Sequence, residues 1–306
     1  MFSIKNKTII TGSVMLLFAV VILTGCKKDD EPLASSSFPG SASEDAAESI
    51  SASLGNDNGG AADNLTDVVQ LGSGLTFSTL SLGKSENSES VDSSYNTSTG
   101  EWTVTLSRER GSLLGYPHMS VHRVYQFTFY RDLNDSTSFQ KYRTVNGTIA
   151  SAMKFKIVSG SGTFETRRMD HKLLSVTGSY IITNLNTDTL IINSDENFVR
   201  TGSDTITTRN VVRTLNHTTT LHFSNIKAPR FRPLAPRQTF FQAFSGTISG
   251  TIKGTVTVQK GELYKDRTID KTFTVTISDG TGTISIDGKG FTCNIQTGER
   301  EDSQSH

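Results

Sequence analysis

The chain has 306 residues, with 30 basic and 30 acidic side chains, so its formal net charge at pH 7 is zero. This balance excludes a general electrostatic attraction to nucleic acid, which requires a surplus of lysine and arginine. The sequence contains only two cysteines, Cys26 and Cys293.

The N-terminus has the three-part layout of an export signal. Lys5 and Lys7 give it a positive start, residues 9–23 form an apolar run, and the small residues Thr24 and Gly25 follow. The run has about 15 residues, fewer than the roughly 20 that a helix needs to span a bilayer. The pattern therefore favours a cleaved signal peptide over the alternatives, a transmembrane anchor or a buried helix.

The segment Leu23-Thr24-Gly25-Cys26 resembles the lipobox of bacterial lipoproteins. The resemblance implies that the Cys26 thiol carries a diacylglycerol, that the signal is cut before Cys26, and that the new amine is acylated too. Two or more acyl chains anchor a protein stably, whereas one does so only marginally. Lipidation would leave Cys293 without a disulfide partner, and the alternation in FTCNI predicts that Cys293 lies on the buried face of a strand.

A cluster of charge follows directly after Cys26. It is similar to the surface-export signal of certain Gram-negative lipoproteins, which routes them to the outer face of the outer membrane. The resemblance implies recognition by the lipoprotein export machinery and display at the cell surface. The alternative is a charged, solvated linker in a lipoprotein that faces the periplasm. The cluster consists of Lys27, Lys28, Asp29, Asp30 and Glu31.

About 280 residues remain after the signal, enough for one large β domain or two small ones. Composition and pattern change several times along them. We expect a signal peptide at 1–25, a disordered acidic tether at 26–45, short helices and a polar linker at 46–100, an antiparallel β domain at 101–298 and a disordered tail at 299–306.

Two short helices are predicted before the β domain. Ser41 and Glu44 have the spacing of a capping box, and a helix over about 43–54 would place apolar side chains on one face. The stretch NDNGG then ends this helix. The first helix would align Ala46, Ile50 and Leu54, and the second would hold Leu65, Val68 and Val69.

From Glu101 onward the apolar residues alternate with polar ones. Residues 102, 104 and 106 share one face, as do residues 121–129 at every second position, including Arg123. The stretch FSGTISGTIKGTVTVQ has one face of glycine and aliphatic residues and one of threonine, serine and lysine. We expect about 11–13 strands in an all-β antiparallel meander that forms a barrel, a sandwich or a curled sheet.

Turn signals separate the strands. Asn-Gly and Asp-Gly pairs at 146–147, 279–280 and 287–288 predict tight two-residue hairpins, because such turns need positive φ. Weaker turn signals occur at residues 160–162, 186–188 and 202–204.

The sequence contains no G-x-S-x-G, phosphate-loop or H-E-x-x-H motif, so we expect no enzyme and no cofactor. His118 and His122 would share one face of a strand, but no third ligand lies close to them in sequence, so we expect no metal site. Paired carboxylates for sugar hydrolysis need no local spacing, and a surface glycosidase stays a weaker alternative.

Residues 205–261 contain eight bases and no acid. They predict a patch for an anionic glycan or for lipopolysaccharide phosphates, or, alternatively, a basic surface against which the acidic N-terminal segment packs. The residues of the candidate patch are Lys227, Arg230, Arg232 and Arg237.

We therefore expect a lipid-anchored outer-membrane protein at the cell surface with a non-enzymatic binding or structural role. Trp102 is the single tryptophan, which weakens a glycan-binding role, since sugar platforms favour exposed aromatics. The alternative is a periplasm-facing carrier whose curved sheet holds a lipid or another hydrophobic ligand, with Phe240, Phe241 and Phe244 lining its cavity or forming ordinary core.

Overall fold

The computed structural model describes residues 38, 40–75, 86–111, 117–231 and 237–301. The signal sequence, Cys26, the charge cluster at 27–31 and Arg232 lie outside the described residues. Strands dominate the described part, which confirms the all-β prediction. None of the described helices is long and apolar enough to cross a membrane.

The elements are numbered in chain order. The helices are α1 (Ala42–Leu54), α2 (Ala61–Gly72) and α3 (Arg237–Gln242). The strands are β1 (Glu86–Asn96), β2 (Glu101–Gly111), β3 (His118–Tyr130), β4 (Phe139–Gln140), β5 (Thr144–Val145), β6 (Thr148–Ile149), β7 (Ala152–Glu165), β8 (Met169–Thr183), β9 (Thr189–Thr207), β10 (Val212–Pro229), β11 (Ser245–Lys260), β12 (Leu263–Ser278), β13 (Thr281–Ile286), β14 (Lys289–Asn294) and β15 (Arg300–Glu301).

Thirteen of the strands form one antiparallel sheet, and β5 and β6 form a separate small hairpin. Each long strand pairs with the next long strand in sequence, and β4 pairs with the end of β3. The predicted meander is therefore confirmed. The path of pairing ends at β1 and β15, so the sheet is open and not a closed barrel.

The sheet curls around the segment that joins α1 to α2. The Asn56 amide donates to the carbonyl of Ile295, just after β14, at 3.0 Å. The Asn56 carbonyl accepts from Arg110 of β2 at 3.5 Å. Nine strand spacings separate β2 from β14 in the sheet order, or roughly 43 Å in a flat sheet. One residue can contact both strands only because the sheet bends around it.

Helix α1 begins as its sequence predicts. The Ser41 hydroxyl accepts from the Glu44 amide at 3.3 Å, and the Glu44 carboxylate accepts from the Ser41 amide at 2.7 Å. This capping box satisfies two amides that the first turn leaves without partners. Polar residues of α1 such as Asp45 and Ser49 are as buried as Ile50. Helix α1 is therefore enclosed rather than laid on a surface with one face in water.

The three strong hairpin predictions are confirmed, with positive φ at Asn146, Asp279 and Asp287. The weaker signal at 186–188 also falls in a turn, between β8 and β9. The signals at 160–162 and 202–204 were wrong, because these residues lie inside β7 and β9.

The glycines of those two segments make room for large side chains on the enclosed face. A Cβ at Gly160 would lie 2.7 Å from Cδ of Arg123, which is closer than atoms pack. A Cβ at Gly202 would lie 3.3 Å from Nε2 of His217. Glycine thus marks close approach here and not a turn.

The sheet begins at Glu86, inside the segment where we expected a polar linker up to residue 100. Strand β1 is rich in serine and acidic residues and lies at the edge of the sheet. Such an edge has no apolar alternation to detect, and its charge discourages pairing with other chains.

The buried position of α1 gives a matched test. Ile50 is 0% exposed in α1, whereas Ile149 in β6 is 39% exposed. We expect Ile50→Ala to lower the free energy of unfolding by about 2–4 kcal/mol, because it leaves a cavity in the core. Ile149→Ala should cost at most about 0.5 kcal/mol. Urea denaturation measures both values, and equal small losses would contradict an enclosed α1.

Candidate functional site

An open cleft of ≈ 680 Å³ lies beside the C-terminal end of α2. The inward faces of β1, β2 and β3 form one wall, and the residues around β5 form another. Its lining residues are Leu71, Ser73, Gly74, Leu75, Val91, Ser93, Trp102, Phe127, Phe129, Lys141, Tyr142, Arg143 and Thr144.

Aromatic rings cluster at this cleft. The Trp102 ring lies 5.0 Å from that of Tyr95 and 6.0 Å from that of Tyr142, measured between centroids. The Trp102 indole N–H donates to the carbonyl of Lys141 at 2.7 Å, which fixes the ring. Tyr142 is 51% exposed, so one large ring faces solvent. Trp102 shares the inward face of β2 with buried Val104, but it lies at the strand's start, where the core opens.

Cations accompany these rings. The Lys141 ammonium lies 5.1–5.5 Å from the centroids of all three rings. The guanidinium groups of Arg143 and Arg230 both donate to the carbonyl of Leu185, at 2.5 and 2.8 Å. Burial, and then the charge of Arg230, lower the pKa of Arg143. Two like charges held together in this way favour a nearby anion.

The predicted basic patch is only partly brought to the cleft. Arg230 reaches its edge through Leu185, whereas Lys227 is exposed along β10. Arg237 begins α3, but its side chain is outside the description, as is all of Arg232. Lys141 and Arg143, which the sequence did not single out, supply positive charge at the cleft itself.

A second cleft, of ≈ 420 Å³, contains arginines paired with acids. Arg213 lines it together with Glu48 and donates to that carboxylate at 2.9 Å. Arg213 and Arg267 also donate to Asp45 of α1, at 2.8 and 3.0 Å. The acidic N-terminal segment therefore does pack against arginines of the basic sheet, which was the alternative reading of the charge pattern.

A buried group of charges joins α2 to β2 and β3. Arg108 contacts the Asp67 carboxylate, and Arg110 donates to Asp63 at 2.9 Å. The Tyr125 hydroxyl also donates to Asp67, at 2.8 Å. All five side chains are buried. Charges removed from water in this way are stable only when paired, so the contacts fix α2 on these strands.

A second buried group lies on β8, β9 and β10. Asp204 contacts Nδ1 of His171, accepts from the Ser49 hydroxyl at 2.5 Å and lies 3.0 Å from Nε2 of His217. Burial alone would raise the pKa of Asp204, but the charge and hydrogen bonds of His171 and His217 lower it below its usual range. Asp204 is thus an ionised acceptor that ties α1 to the sheet through Ser49.

This group has residue types that metal sites and hydrolases use. The ligand atoms of His171, Asp204 and His217 lie within 4.8 Å of one another. The imidazoles contact the carboxylate directly, so a metal would require them to draw back. Nε2 of His217 faces both Ser49 and Asp204, whereas a serine triad uses the two ring nitrogens separately. The group therefore acts as a buried hydrogen-bonded anchor that holds α1 on the sheet.

The other singled-out residues are on the surface or in the core. His122 is exposed and bonds Ser107 across the outer face of the sheet, and His118 lies on the same face. Cys293 is buried as predicted, and burial raises its pKa to about 11. Phe240, Phe241 and Phe244 are buried and pack against one another.

Sequence reasoning missed the buried arginines. Arg108 and Arg110 continue the alternation of Val104 and Leu106 on the inward face of β2. The available signal was a charged residue at a position where the alternation predicts a buried aliphatic one. In the sequence, this signal was noted only for Arg123. The acidic partners of Arg108 and Arg110 lie on α2, which is distant in sequence, so the pairing could not be inferred from spacing.

No protein-family model, curated protein or solved structure matches this chain.

The buried ion pairs predict an asymmetric response to removal of one partner. We expect Asp67→Asn to lower the free energy of unfolding by about 3–5 kcal/mol, because it removes the nearer of the two carboxylates that neutralise the buried Arg108 guanidinium. Asp270→Asn breaks the ion pair between Asp270 and Lys253. The Asp270 side chain is 66% exposed, so this change should lower the free energy of unfolding by less than about 1 kcal/mol. Urea denaturation compares the variants. A loss at Asp67 no larger than that at Asp270 would contradict the role of the pair.

Proposed function

We propose that this protein is a lipid-anchored outer-membrane protein, displayed at the cell surface, that binds an anionic glycan without transforming it. The anchoring part of the proposal rests on the lipobox-like segment ending at Cys26, and the display part on the charges at 27–31. The binding part rests on one structural observation, the cleft that combines the exposed ring of Tyr142 and the half-buried ring of Trp102 with lysine and arginine.

The cleft has the chemistry that acidic sugars need. Rings of tyrosine and tryptophan stack on the apolar faces of sugar rings while their polar tips remain solvated. Lys141 and Arg143 provide charged donors for carboxylate, sulfate or phosphate groups. Among the described residues that line the cleft there is no acid, so an anion approaching them meets no repulsion from those side chains. The single tryptophan, Trp102, lies beside the rings of Tyr95 and Tyr142.

The cleft favours a glycan over a carried lipid. Helices α1 and α2 cover the enclosed face of the curled sheet, where a lipid carrier would hold its ligand. An apolar ligand there would have to displace α2 and separate its buried ion pairs with β2. The cleft beside α2 is open to solvent at Tyr142 and requires no such rearrangement.

The binding proposal is tested with a matched pair of tyrosines. Tyr142 in the cleft is 51% exposed and Tyr264 at the start of β12 is 65% exposed. The full-length protein in detergent is run by affinity electrophoresis through gels containing polygalacturonate or neutral dextran. We expect retardation by polygalacturonate that weakens with salt, a loss of about tenfold or more in affinity for Tyr142→Ala, and no loss for Tyr264→Ala.

Lys141→Ala separates charge from stacking. It should weaken binding to polygalacturonate while leaving any weak binding to dextran unchanged, because it removes a cation but no ring that sugars stack on. Equal binding by the Tyr142 and Tyr264 variants would show that the cleft is not the binding site.

The location is tested by protease treatment of intact cells. We expect the wild-type protein to be cleaved, and the variant with Lys28, Asp29 and Asp30 all changed to Ala to be protected until the cells are broken. If the wild type is protected in intact cells and cleaved after disruption, the protein lies on the periplasmic face. That result would contradict the proposal of surface display.

A further inference from the structure

The chain from Lys141 to Arg143 presents charged and aromatic side chains to the glycan cleft from a fixed backbone. The Lys141 carbonyl accepts from the Trp102 indole at 2.7 Å. The buried side-chain amide of Gln140 donates to the carbonyls of Tyr142 and Arg143, at 2.9 and 2.8 Å. A site whose backbone is held before the ligand arrives loses less entropy on binding, and its side chains keep the geometry that distinguishes similar ligands.

One edge of the Arg143 guanidinium is already used. Its Nε and Nη2 atoms donate to the carbonyl of Leu185, at 3.2 and 2.5 Å. These two bonds fix the plane of the guanidinium and use two of its five N–H donors. The donors that remain include a fork of two parallel N–H groups, one on Nη1 and one on Nη2. Within the described part of the chain, Nη1 donates to no acceptor.

Glycine leaves space beside this guanidinium. Gly74 lines the cleft after α2, and a Cβ there would lie 3.5 Å from Nη1 of Arg143 and 3.3 Å from its Cδ. A side chain at this position would therefore contact the guanidinium, whereas glycine leaves that space to a ligand. Gly74 also has a φ of +92°, which glycine adopts without strain. The guanidinium of Arg143 is thus fixed in its plane and accessible from the cleft.

The remaining fork distinguishes anions by their shape. Its two N–H groups are coplanar and match the two oxygens of a carboxylate. A sulfate ester or a phosphate monoester has three terminal oxygens in a tetrahedral arrangement, so the same fork leaves one of them without a donor. Among the described residues of the lining, the other cation is Lys141, which is engaged over three aromatic rings at 5.1–5.5 Å. The geometry at Arg143 therefore suits a carboxylate better than a tetrahedral anion.

The stacking ring and the fork are close enough in the chain to contact the same sugar unit. Tyr142 and Arg143 are consecutive residues that both line the cleft, and Tyr142 is 51% exposed. In a hexuronate the carboxylate is bonded directly to the sugar ring, whose apolar face stacks on tyrosine. In a sugar 6-sulfate the charged group stands further from the ring on a flexible arm. A hexuronate therefore fits this pair of side chains with less loss of freedom.

We propose that Arg143 makes the cleft specific for hexuronate glycans, by binding their carboxylate through its Nη1–Nη2 fork while Tyr142 stacks on the same sugar. This inference rests on the proposed function, because it assigns the anionic group of the glycan that the cleft binds. The neighbouring charge of Arg230, which donates to the same Leu185 carbonyl at 2.8 Å, attracts any anion. The fork of Arg143 distinguishes a carboxylate from sulfate and phosphate esters.

Trp102 provides the readout for the test. It is the single tryptophan of the chain and it lines the cleft, so a change in tryptophan emission reports binding there. The full-length protein in detergent is titrated at constant ionic strength with galacturonate, galactose 6-sulfate or galactose, which share one ring configuration and differ at carbon 6. We expect the dissociation constant for galacturonate to be about tenfold lower than that for galactose 6-sulfate, and that for galactose to be the highest.

Arg143→Lys keeps the charge and removes the fork. Its affinity for galacturonate should fall to its affinity for galactose 6-sulfate. Arg209→Lys, at an exposed position between β9 and β10, should bind all three sugars as the wild type does.

The inference is overturned if the wild type binds galacturonate and galactose 6-sulfate equally, a comparison that needs no variant, or if Arg143→Lys keeps the preference for galacturonate. In both cases, tighter binding of the two anionic sugars than of galactose would leave the proposed function standing. If no sugar changes the emission, the inference also fails, and the proposed function fails with it only if polygalacturonate causes no retardation of the wild type either.

Discussion

Two carboxylates of α2, Asp63 and Asp67, are buried against two guanidinium groups of β2. Separating such a pair inside the protein would expose each charge to a medium that solvates it poorly, at a cost of several kcal/mol. Helix α2 is therefore held on β2, while the segment before it bonds the chain after β14. Because the contacts with β2 and with the chain after β14 are made at the same time, the thirteen-stranded sheet must curl around the helices. One face of the meander is therefore enclosed.

The position of the glycan cleft follows from that attachment. Its floor is formed where α2 ends and where the inward faces of β1, β2 and β3 continue beyond the helix. The strand residues there belong to the same alternating set that forms the core: Phe127 and Phe129 are still buried, whereas Trp102 is only half-buried. Tyr142 is exposed at this cleft, and Arg143 and Arg230 meet there on the carbonyl of Leu185.

Much of the fold was predictable because it depends on local patterns. Period-two alternation gave the strands and their inward faces, the Asn-Gly and Asp-Gly pairs gave three hairpins, and Ser41 with Glu44 gave the start of α1. The errors at 160–162 and 202–204 arose because glycine has two uses, and its close approach to Arg123 and His217 depends on strands distant in sequence. The cleft and the buried charges were not predictable for the same reason: each combines residues from several elements, and only the curl of the sheet brings them together.

The central claim is that α1 and α2 form the core of the sheet and do not merely cover it. Hydrogen exchange of the full-length protein, resolved by peptide, tests this most directly. If the claim holds, the amides of α1 and α2 exchange as slowly as those of β2, β3 and β10, because the helices cannot leave without global unfolding. Exchange of both helices orders of magnitude faster than that of a still-protected sheet would contradict it.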